Sequence, residues 1–77
     1  MPETATDLQA AWGEVIRLER LSRRESQTDV AKRANTDQKV VSKVENGAAT
    51  LDTTVRIAAA LQLSVADLTE RAQEAAS

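Results

Sequence analysis

The chain has 77 residues, a formal net charge of −2, and neither cysteine nor histidine. That length allows one domain, and a chain this short buries only about 60% of its unfolded surface, so its stability is modest or drawn partly from a partner. Disulfides and thiol chemistry are excluded, zinc would need carboxylates or water alone, and the usual general base is missing.

Residues 1–6, with Pro2 among small polar side chains, read as a disordered tail, and residues 7–77 as the single domain. The first helix is predicted from about Asp7 to Arg23, where Leu8, Ala11, Trp12, Val15 and Ile16 recur at i, i+3 and i+4. Further along, Leu18 and Leu21 lie to one side, while Glu19 and Ser22 fall in the middle of the expected face. The expectation is a slightly rotated core face that takes both leucines in. The alternative leaves them exposed and able to contact a second protein.

Two short helices follow, over about 27–34 and 37–45. Ser26 is a candidate N-cap with Asp29 at the capping-box position. Val30, Ala31 and Ala34 give the first of them a narrow apolar face. Asn35 tolerates a left-handed turn, and Thr36 is the expected cap of the second. There Val41 and Val44 point inward, Gln38, Lys39, Ser42 and Lys43 point outward, and Gly47 stops the helix. Asp37 suits the positive helix end, or can accept from cytosine N4. Ala48 to Thr50 form a short link. Thr50 caps a helix that buries Leu51, Val55, Ile57, Ala58 and Leu61, with Thr54 as a looser contact. Leu63 then packs, and Ser64 with Asp67 forms another capping box. The last helix is expected from Val65 to about Ala75. Its stripe of Val65, Leu68, Ala72 and Ala75 covers the core in part; the rest forms a two-fold contact or a frayed end.

Charge is unevenly spread. Residues 20–43 carry seven Lys/Arg against three acids, or +4, while residues 1–19 and 44–77 each carry −3. A basic segment between acidic flanks is the footprint of a groove reader, or else a solvated face. Trp12, the one aromatic residue, offers no stacking platform for single strands. No 18-residue apolar run and no signal peptide are visible, so the expectation is a soluble, cytoplasmic protein with no membrane contact.

Ser26-Gln27, the Val30-Ala31 pair, Ser42 and Val44-Glu45-Asn46-Gly47, in that order and spacing, resemble the helix-turn-helix of the phage repressor/Cro (XRE-type) family. The resemblance runs from about Trp12 to Leu68. It implies an all-α, lambda-repressor-like fold: a compact bundle of about five helices that binds double-stranded DNA, usually as a homodimer. The chain departs from the family at Glu19, where an apolar residue is usual, and at Arg24 and Glu25, where a glycine and an apolar residue are usual. The link after Gly47 is short and lacks a proline, and Thr54 stands where leucine is common.

By the same resemblance Arg20 pairs with Glu45, tying the first helix to the end of the recognition helix, and Gln27 touches the DNA backbone. Docking of this kind inserts the N-terminal half of the second motif helix into the major groove. Gln38 can pair with adenine N6 and N7, and Lys39 can donate to guanine or to a phosphate. Ser42 and Lys43 sit one turn further on. Val40 meets a thymine methyl or hides in the core. Phosphate contacts are expected from Gln27, from Asn46 with nearby backbone N–H groups, and from Lys32, which with Arg33 also reads as a general counter-charge or a plain solubility residue.

The chain therefore reads as a small sequence-specific transcriptional regulator, a repressor of bacterial or phage origin. No nucleophile–base pair, phosphate-cradling glycine loop or metal cluster is visible, so neither an enzyme nor a cofactor is expected. The alternative is a protein-interaction module of the same fold that does not bind DNA, such as an antirepressor or adaptor. Net acidity, Glu19, Glu25 and the Leu18/Leu21 patch favour it.

Overall fold

The computed structural model describes residues 5–76 and the side chains of 7–75. Five helices follow one another: α1 (Ala5–Ser22), α2 (Gln27–Arg33), α3 (Gln38–Glu45), α4 (Leu51–Ala60) and α5 (Val65–Ala76). Of the expected tail, residues 1–4 lie outside the described residues. Ala5 and Thr6 already belong to α1, since alanine favours helix and Asp7 suits the positive end of the first turn.

Helix ends follow local chemistry. Ser26 accepts from Asp29 N–H while Asp29 accepts from Ser26 N–H, completing the capping box. Ser64 and Asp67 repeat it at α5. Thr50 caps α4 through Thr53 N–H. The cap of α3 is Asp37, not Thr36: its carboxylate accepts from Val40 N–H. Thr36 still belongs to the end of α2, where its own N–H closes on Ala31 O.

Helices α1 to α4 all close with the same double bond of the Schellman type, seen for example in Ala48 N–H to Lys43 O and Gly47 N–H to Val44 O. The turn needs a left-handed residue, supplied by Arg24 (φ 58°), Asn35 (φ 59°), Gly47 (φ 74°) and Gln62 (φ 61°).

The core draws Trp12, Val15 and Ile16 from α1, Val30 and Ala31 from α2, and Val41 and Val44 from α3. Ile57, Ala58, Leu61, Leu63 and Leu68 complete it, with Leu51 and Val55 half-buried. Thr54 is fully buried rather than loose, because its hydroxyl donates to Thr50 O at 2.8 Å and leaves no unpaired polar group.

The expected rotation of α1 does not occur. Leu18 and Leu21 are 52% and 46% exposed. Glu19 faces inward instead, its side chain 16% exposed, because its carboxylate meets Arg23 at 2.8 Å and Arg71 of α5. The apolar stripe is interrupted by an ion pair that joins α1 to α5.

One close approach positions the motif. A Cβ on Gly13 would lie 2.3 Å from Val44 O and 3.1 Å from Glu45 O, so the backbone of α1 rests directly on the end of α3. Gly47 meets α1 as closely: its missing Cβ would lie 2.9 Å from Ala10 Cα. Gln9 donates across the same seam to Ala49 O.

Candidate nucleic-acid interface

Helix α3 has two faces. Val41 and Val44 are buried, while Gln38, Lys39 and Lys43 are exposed. Ser42 is half-buried. Val40 is half-buried too and packs against the core, so only part of it faces outward. Asn46 is exposed, but the N–H groups of Asn46, Gly47 and Ala48 all close on carbonyls of α3. Those three N–H groups are therefore already used, and at the α3 terminus itself the Asn46 side chain is what remains for a ligand. Lys32 on α2 is exposed.

Behind this face runs a chain of polar side chains. Arg20 Nε lies 2.6 Å from Glu45 Oε2, and its Nη2 lies 3.0 Å from Oε1. A third guanidinium donor reaches Glu25 O at 2.9 Å. The two side chains are only 12% and 4% exposed. Pairing with Glu45 raises the Arg20 pKa above its ordinary value. Desolvation offsets much of the attraction in such a pair, but removing one member leaves a buried charge and costs about 3–5 kcal/mol. From Glu45 the chain continues outward. Gln27 Nε2 donates to Glu45 Oε1 at 3.0 Å, and Gln38 Nε2 donates to Gln27 Oε1. Arg20, Glu45, Gln27 and Gln38 thus form one line from beneath the motif to its exposed tip.

The basic segment divides into two sets. Arg23 donates to Glu19 at 2.8 Å and to Leu61 O at 2.7 Å. Arg33 holds Glu25 through both terminal nitrogens at 2.8 Å each and donates from Nε to Ala60 O at 2.9 Å. Both arginines thereby place positive charge at the C-terminal end of α4, which has no basic residue in its own last turn. Hydrogen bonding to Arg23 holds the Glu19 carboxyl below its ordinary pKa, and bonding to Arg33 does the same for Glu25. Arg33 is thus a structural residue rather than a general counter-charge. The spacing of Glu19 and Arg23, four apart on a helix, was a readable signal for one of these pairs; the α4 carbonyls gave none. Among the described residues Arg24, Lys32, Lys39 and Lys43 form no ion pair, so four of the segment's seven cations remain for a ligand.

No group of His, Cys, Asp or Glu among the described residues could hold a metal ion, and no described helix is long and apolar enough to cross a membrane. No curated protein and no solved structure matches the chain. The helix-turn-helix family model matches residues 16–68, from the middle of α1 to the start of α5. With well over half its length matched, the chain belongs to the XRE-type helix-turn-helix family, the phage repressor/Cro group of DNA-binding transcription regulators.

Proposed function

We propose that this chain binds double-stranded DNA sequence-specifically and acts as a small repressor, a homodimer on a near-palindromic operator. The observation that carries this reading is the exposed tip of α3: Gln38 held by Gln27, with Lys39 and Lys43 free of carboxylate partners. Insertion of that tip into the major groove lets the Gln38 amide meet an adenine edge and Lys39 a guanine edge or a phosphate. Ser42, Lys43 and the outward part of Val40 extend the contact by one turn. Gln27, Lys32 and the Asn46 side chain supply phosphate contacts that fix register. Two copies would set their recognition helices roughly 34 Å apart, one DNA turn, and block polymerase by occupancy in a bacterial or phage-infected cytoplasm.

A second reading is a protein-interaction module. It is favoured by exposed Leu18 and Leu21, of which Leu18 lines a groove of about 420 Å³ between α1 and α5.

Selection of bound duplexes from a random pool separates the two. The DNA reading predicts an enriched, two-fold symmetric site. Affinity should fall steeply with salt, with a log–log slope near −0.9 per neutralised phosphate, or about −3 to −4 per protomer for four free cations. An unenriched pool, together with salt-insensitive capture of a protein, supports the second reading.

A further inference from the structure

We propose that Glu45, buried behind the exposed face of α3, is a specificity-determining positioning residue: through Gln27 it fixes which way round the Gln38 amide meets a base. The inference rests on the DNA-binding reading and deepens it.

A carboxylate can only accept hydrogen bonds, and Glu45 already accepts two from Arg20 in a bidentate pair. Gln27 can therefore face Glu45 only with its NH2 group, which donates at 3.0 Å. That fixes the other end of the same amide: Gln27 Oε1 points to Gln38. An oxygen accepts, so Gln38 must present its own NH2 group there. One N–H of Gln38 is used, leaving its second N–H and its Oε1 for a ligand. One donor beside one acceptor matches adenine, which offers N7 as acceptor and N6 as donor. Guanine offers two acceptors, N7 and O6, and leaves Oε1 without a partner.

Reversing the order shows why Glu45 matters. With a neutral amide at position 45, Gln27 can face it by either end. In the flipped state Gln27 offers its NH2 group to Gln38, Gln38 turns its oxygen inward, and its outward edge becomes donor-only. That edge suits guanine. The buried negative charge thus keeps adenine preferred without touching the base.

The test compares the wild type with Glu45→Gln and Gln27→Met on three duplexes: the selected site, the same site with guanine replacing the adenine assigned to Gln38, and a random sequence. Wild-type preference for adenine over guanine should be about 5- to 140-fold, the range that one bidentate pair gives. Both variants should narrow that ratio by about threefold or more, since the flipped amide becomes populated. A merely structural role would lower affinity for all three duplexes alike and leave the ratio unchanged. Glu45→Gln breaks a buried pair, so thermal melting checks that it folds; Gln27→Met leaves the Arg20–Glu45 bridge intact and carries the test if it does not. In the free protein, the Gln38 side-chain amide protons should exchange slowly and shift on Gln27→Met. A folded variant that keeps the wild-type base ratio overturns the proposal, as does a Gln38 amide signal that Gln27→Met leaves in place. Should the wild type select no duplex, the DNA reading fails and the role in base choice falls with it, while the amide signal still reports whether the relay exists.

Discussion

Gly13→Ala places one methyl group where α1 crosses the end of the recognition helix. The new Cβ would begin 2.3 Å from Val44 O and 3.1 Å from Glu45 O, both backbone atoms that cannot rotate aside. Real Cβ contacts do not fall below 3.0 Å, so the helices must part by at least the difference from 2.3 Å. A gap of that size forfeits roughly a quarter to a half of the dispersion energy at each contact it opens between the side chains that α1 and α3 bring to their shared core. Overpacking of this kind costs about 1–3 kcal/mol or more. Against it stands a helix-propensity gain of about 1 kcal/mol, because glycine in a helix interior is the poorer residue. The clash wins, since it is with rigid main chain at 2.3 Å and so falls in the upper part of that range, about 2–3 kcal/mol. The expected net loss is about 1–2 kcal/mol, or roughly 5–15 °C in melting temperature for a domain of this size. Circular dichroism during heating and in urea reads it directly. A variant as stable as the wild type, or more so, would show that α1 does not lie on the α3 terminus and would remove the reason for expecting that seam to hold the recognition helix in place.

Three further outcomes follow from the helix ends and the ion pairs. Arg24→Gly and Gln62→Gly, at exposed positions with φ of 58° and 61°, should each stabilise the fold by about 1 kcal/mol, seen as a higher urea midpoint. Asp37→Ala should cost about 0.5–2 kcal/mol through loss of the α3 cap, whereas Thr36→Ala should cost less; the opposite ranking would return the cap to Thr36. Hydrogen bonds hold Glu19, Glu25, Asp29 and Asp67 below their ordinary pKa values in the folded state, so their stabilisation is fully present at neutral pH and is lost as pH falls through the lowered values. With no histidine in the chain, the urea midpoint should stay flat from about pH 8 to 6 and decline only below about 4.5.

Features decided within a few residues were legible in the sequence. The capping boxes Ser26/Asp29 and Ser64/Asp67 and the left-handed Asn35 depend on neighbours three or four positions away, and the structure has each of them. The helix spans followed from spacing and caps, while the all-α bundle of about five helices was what the family resemblance implied, and the structure has both. What stayed hidden depends on partners far along the chain. Local spacing favours a core place for Leu18 and Leu21 over an exposed one, because nothing nearby reveals that Glu19 pairs with Arg71, 52 residues away. Gly13 reads as a weak helix residue until α3 is brought against it. Arg23 and Arg33 look like members of a basic surface, yet their partners include the carbonyls of Leu61 and Ala60. At the site itself, helical spacing put Gln38, Lys39 and Lys43 on one exposed face. The bond from Gln27 to Glu45 joins α2 to the far end of α3, and no local pattern announces it.

That division of the cations also answers how a molecule of net charge −2 can approach a polyanion. Counted by residue, acidic flanks cancel the motif. In space they do not. The three glutamates nearest the motif, Glu19, Glu25 and Glu45, are each matched to an arginine, while Lys32, Lys39 and Lys43 form no ion pair among the described residues. The molecule extends 36 Å along its longest axis. At physiological salt the screening length is about 8 Å, so a phosphate beside α3 responds to the free lysines and hardly to the acids of α5, a helix that packs chiefly on α1. At 0.01 M salt the length grows to about 30 Å, comparable with the molecule, and the distant acids begin to repel the duplex. The plot of log affinity against log salt should therefore be steep and straight near 0.1 M and flatten towards 0.01 M. Neutralising the α5 acids, with Glu70→Gln and Glu74→Gln together, should restore the missing steepness at low salt and change little at 0.15 M. Fluorescence anisotropy with a labelled duplex measures both limbs. A wild-type line that stays straight to 0.01 M, unaltered by those substitutions, would mean that the acidic flanks never reach the DNA and that local charge alone governs the approach at every salt concentration.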